Sequence, residues 1–93
     1  MKTIYSVRYE YNDHCWQYER LFEKLSDAID RIEVIAENLK ENAAYNGGEV
    51  VIDVETTSTV IGGCEPSVER VMVIKKGEIE QRYDIRVFAE TLF

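Results

Sequence analysis

The chain has 93 residues, 45% hydrophobic and 31% charged, with five Gly and one Pro; that is globular composition for one α+β domain spanning residues 1–93, and it excludes a low-complexity or linker-rich protein. Eighteen acidic against eleven basic residues leave a net charge of −7, the wrong sign for direct binding to nucleic acid or to an anionic membrane surface. No apolar run approaches the ~18 residues that span a bilayer, the opening MKTIYSVRYE alternates where a signal peptide would be uninterrupted, and two cysteines are too few for a disulfide scaffold, so a cytoplasmic protein with free thiols at Cys15 and Cys64 is expected.

From Lys2 to Tyr11 polar and apolar positions alternate, with Tyr5, Val7, Tyr9 and Tyr11 on one face; this predicts a strand. Cys15 to Phe22 alternates as well, with Trp16, Tyr18, Arg20 and Phe22 on one face, and Asn12-Asp13 between the two runs tolerates turn conformations. A connection with an even number of residues puts both aromatic rows on the same side of a hairpin.

Ser26 to Asn46 has helical spacing. At ~100° per residue, Ala28, Ile29, Ile32, Ile35, Ala36, Leu39 and Ala43 fall within an arc of about 120°, the width of a face laid on a core. Ser26 reads as the N-cap, and Asn46-Gly47-Gly48 can take a left-handed stop. Glu49 to Thr57 alternates, with half of it solvated, and Ser58 to Pro66 holds Gly62-Gly63 and the single proline, a loop. Val68 to Lys75 carries four consecutive apolar residues, Val71 to Ile74, as a central strand covered on both faces would. Lys76-Gly77 signals a hairpin. Ile79 to Ala89 then alternates, with Ile79, Tyr83, Ile85, Val87 and Ala89 inward and Glu80, Arg82, Asp84 and Arg86 on a solvated outer row.

The order β-β-α-β-β-β with short connections predicts the α+β class, as a five-stranded, mainly antiparallel sheet with one amphipathic helix packed on one face. No chemistry-bearing motif stands out. His14, Cys15 and Cys64 lack the spacing and the fourth ligand of a zinc site; His14 and Cys15, adjacent in a strand, point to opposite faces, and nothing adjacent to Cys64 is basic enough to activate its thiol. The glycine pairs lead into strands and not into a helix N-terminus, so no phosphate cradle is formed. The expectation is a non-enzyme without metal or cofactor.

Two surfaces are candidate binding sites. The outer helix face carries Asp30, Glu33, Glu37 and Glu41, whose like-charge neighbours each cost ~0.2–0.5 kcal/mol. Such a stripe fits a basic protein partner, and replacing Glu33, Glu37 and Glu41 by Gln is expected to leave the fold unchanged or slightly more stable. The alternative is a small-molecule or nucleotide site on the aromatic hairpin at Tyr9, Tyr11, Trp16 and Tyr18. A third reading, a domain that only mediates assembly, and a homodimer are both compatible with this composition. In size, acidity and the layout of one helix on a small sheet, the whole chain resembles small phage-encoded inhibitors of bacterial defence systems, the anti-CRISPR proteins among them; no motif carries that likeness. The resemblance implies a protein that occupies the basic, nucleic-acid-binding site of a defence effector, presenting carboxylates where the effector expects phosphates.

Overall fold

The computed structural model describes residues 2–11, 17–57 and 66–92. The elements form in the predicted order: β1 (Lys2–Tyr11), β2 (Gln17–Phe22), α1 (Leu25–Tyr45), β3 (Glu49–Thr57), β4 (Val68–Lys76) and β5 (Ile79–Leu92). All strand pairs are antiparallel, in the spatial order β2-β1-β5-β4-β3. β1 and β2 pair as neighbours in sequence, α1 carries the chain from the β2 edge to the β3 edge, and the meander β3-β4-β5 returns so that β5 closes against β1. β5 pairs with β4 along Ile79–Val87 and with β1 along Tyr83–Leu92. The two halves of the sheet are therefore offset along β5, and the molecule is elongated, 48 × 21 × 21 Å.

The core lies between α1 and one sheet face. Val7, Val68, Ile85 and Val87 pack with Ala28 and Ile32, and Met72 of the sheet and Ala36 of the helix are buried with them, all 2% exposed or less. Alanine at two of those three helix positions brings the backbone close to the sheet, while Tyr5, Tyr9, Phe22, Leu25, Ile29, Ile35 and Leu39 pack around the margin. The helix stops as its sequence predicts. Gly47 takes φ +76°, and Gly48 N–H donates to the Ala43 carbonyl at 2.7 Å. It starts earlier than the Ser26 cap implies: Lys24 is the N-cap and makes no side-chain capping bond. Leu25 lies on the apolar arc and packs against the core, so burial extends the helix past the local signal and leaves Ser26 exposed in the first turn.

Five further expectations are corrected. Tyr5 pairs with Phe22 and Val7 with Arg20, as the shared aromatic face requires, but a bulge between Val7 and Arg8 then sets Tyr18 opposite Arg8 and Gln17 opposite Tyr9. The extra residue reverses parity on the loop side of the hairpin. β4 is interior but not central, since β5 occupies the middle, and β4 alternates between buried and half-buried residues. Its apolar run arises because Met72 and Ile74 face the helix while Val71 and Val73 neighbour Val54 and Ile52 on the other side. Ile79 has inward parity but sits beside the β4-β5 turn, 66% exposed. Asp84, placed on the solvated outer row, is 3% exposed. It lies on the central strand between Glu10 of β1 and Val71 of β4, with the Arg82 guanidinium at 3.3 Å. The edge strand β3 departs in the opposite sense, with every residue except Val50 exposed.

Candidate functional site

The helix periodicity separates the four predicted acidic residues. Asp30, Glu37 and Glu41 project within ~40° of one another on the side away from the core, whereas Glu33 is turned ~40–80° from them toward the flank above β3 and β4. On that flank Glu33 accepts a hydrogen bond from Arg70 Nη1 at 2.9 Å. The Arg70 guanidinium, on the helix-facing side of β4 and only 8% exposed, also grips Asp53 of β3 with both remaining faces of its fork, Nε to Oδ1 at 2.8 Å and Nη2 to Oδ2 at 2.9 Å. Lys40 completes the arrangement, with its ammonium 3.0 Å from Asp53 and 3.6 Å from Glu37.

A guanidinium withdrawn from water is stable only when its charge and donors are matched, and two carboxylates do that for Arg70. The consequences for protonation follow. The hydrogen bonds from Arg70, aided by Lys40, hold the Asp53 carboxyl at about 2 against an ordinary 3.8. Asp53 and Glu33 in turn raise the Arg70 pKa, and Asp53 raises that of Lys40. Glu33 thus links helix to sheet, and its neutralisation is expected to cost stability, unlike that of Asp30 or Glu41. Asp30 and Glu41 are exposed and have no ion-pair partner among the described residues, and Glu37 shares its single lysine with Asp53. Arg70 and Asp53 were legible in part. Arg70 occupies an inward position between Val68 and Met72, and a cation at such a position implies a nearby acid.

On the hairpin side the structure brings Tyr9 and Tyr11 together around Tyr83, with ring centroids 6.3 and 5.0 Å away. Burial, then the neighbouring Tyr11 and Tyr9 hydroxyls, push the Tyr83 phenol above its ordinary 10.0. Tyr83 is the member of this cluster that its inward parity suggested but that was not assigned to a site. Trp16 lies outside the described residues, as do His14, Cys15 and Cys64, and of Tyr18 only the backbone pairing is described. Beside Tyr9 is a cavity of about 170 Å³, lined with Arg31, Ile35, Asn38 and Leu39. That is below the ~300–1,000 Å³ of small-molecule pockets. Among the described residues no group of three His, Cys, Asp or Glu could hold a metal ion, and no helix is long and apolar enough to cross a membrane. No protein-family model, curated protein or solved structure matches the chain.

Proposed function

We propose that this is a non-catalytic, cytoplasmic binding protein that uses the outer face of α1 to occupy a basic site on a partner protein, one that otherwise holds nucleic acid. The observation that carries the reading is the presence of exposed carboxylates on that face, Asp30 and Glu41, without an intramolecular cation among the described residues. Glu37 adds a third charge, only partly offset by Lys40. A row of carboxylates along one helix face mimics the charge spacing of a phosphate backbone in kind, and the −7 net charge steers it to a basic cleft.

The test begins with affinity capture from a bacterial lysate and proceeds to the captured partner in purified form. Nucleic acid should displace the protein from it, rising salt should weaken binding, and Asp30→Asn/Glu37→Gln/Glu41→Gln should lower affinity at least ~tenfold, about 1.4 kcal/mol. Full affinity in that triple variant, with a large loss on Tyr9→Ala, would move the site to the tyrosine cluster.

A further inference from the structure

We propose that β3 is a docking edge to which a partner adds an extended segment with alternating apolar and basic residues. The proposal deepens the reading of the acidic surface and rests on it for the charge of the partner. Among the described residues β3 ends the sheet, and one side of its backbone has no strand neighbour there. Edge strands are normally blunted by Lys, by Pro, by shortness, by bulges, by inward-pointing charges or by a covering element; β3 guards its helix side with Asp53 and its first residues with a bulge, which leaves the apolar face at Ile52 and Val54 unguarded. β3 has nine residues with neither Lys, Arg nor Pro among them, and its register is regular from Ile52 to Thr57, beyond the bulge at Val51.

The two faces of this edge differ in chemistry. On the face away from the helix, Ile52 and Val54 are 45% and 54% exposed and continue into half-buried Val73 and Val71, their partners on β4. On the helix side stand Asp53 and Glu55, below the flank of α1 that carries Glu33 and Lys40. A strand added to this edge sets its alternate side chains ~4.5–5.5 Å from those of β3. One parity then meets Ile52 and Val54, and the other meets exposed Glu55 beside the Asp53 carboxylate that Arg70 and Lys40 hold. Main-chain bonds would supply attachment, and the alternation would supply selectivity. A second copy of this chain is the weaker occupant, because antiparallel self-pairing brings the Asp53/Glu55 rows of two −7 molecules together.

The probe is a synthetic peptide as long as β3 that alternates valine and lysine, compared with a peptide of the same composition in which the valines and lysines form two blocks. The alternating peptide should bind at least ~tenfold more tightly than the block peptide, protect the amides of residues 49–57 from hydrogen exchange, and lose at least ~tenfold on Ile52→Lys/Val54→Lys. Both positions are exposed, so the variant should fold; if its circular dichroism departs from the parent's, Val54→Lys alone replaces it. Equal binding of the two peptides overturns the proposal, as does a free protein that sediments as a dimer with β3 amides already protected. Peptide shifts confined to α1 overturn it while leaving the helix-face reading intact. Protection of β3 with unchanged peptide affinity in Asp30→Asn/Glu37→Gln/Glu41→Gln supports the docking edge, and the helix-face reading then stands or falls on the captured partner alone.

Discussion

Replacing Asp53 by Asn preserves the shape of the side chain and removes the one carboxylate that both Arg70 and Lys40 contact. Its carboxyl is held at about 2 in place of 3.8. At ~1.36 kcal/mol per pH unit that difference amounts to at most ~2.4 kcal/mol of stability at neutral pH. The side chain is 23% exposed, so solvent screens part of this, and the expected loss is ~1–2 kcal/mol. The sign is set by the direction of the change. A depressed carboxyl contributes in full above its unfolded value and loses that contribution as the pH falls through about 2. Urea melts of parent and variant should therefore differ by ~1–2 kcal/mol at pH 7 and converge as the pH approaches 2, with the same denaturant slope throughout. A difference that persists unchanged to pH 2, or an Asn variant as stable as the parent at pH 7, would refute the electrostatic account of how β3 is held.

Ile32 is fully buried beneath the helix, so Ile32→Ala should cost ~2–5 kcal/mol in urea unfolding; coincident melts would mean that the helix does not pack through this residue. The Tyr83 phenol should ionise above the ordinary 10.0 when phenolate absorbance is followed to high pH. Because its folded value is raised, its contribution is complete below the ordinary 10.0 and is lost as the pH rises beyond it; removing Tyr11 should bring its titration down. The acidic helix residues should divide into two classes in thermal melts. Glu33→Gln should destabilise by ~1 kcal/mol because Arg70 loses a charged acceptor, whereas Asp30→Asn and Glu41→Gln should be neutral or slightly stabilising through relief of repulsion.

Most of the fold was legible because each element has its own period. Alternation marked the strands, and the seven-residue apolar arc marked both the helix and its buried side. What local pattern does not contain is the spatial order of the strands. Asp84 looks solvated in an alternating row and becomes buried once β5 lies between β1 and β4. The bulge in the hairpin has no local signature either, since neither glycine nor proline accompanies it. The acidic face of the helix was readable from spacing alone. Its division into an anchor and outward-facing carboxylates was not, because the partner of Glu33 is 37 residues away and meets it only through the sheet register.

Across the underside of α1 the chemistry changes from apolar to ionic. Over β1 and β5 the contact is made by Ala28 and Ile32 against Val7, Ile85 and Val87, while toward β3 it is made through Arg70, Asp53 and Lys40. Apolar residues in their place would bind the edge as firmly but would leave β3 hydrophobic on both faces, an open template for aggregation. Ion pairs hold the edge in register and keep its helix side charged. The arrangement also constrains what the helix can do as a binding surface. A cation brought to Glu33 by a partner must compete with Arg70, and Arg70 would then rely on Asp53 alone in a buried site where an unmatched charge is costly. Occupation of the helix flank and the seating of β3 are therefore coupled through one guanidinium, whereas charges brought to Asp30 and Glu41 act on the surface without that cost.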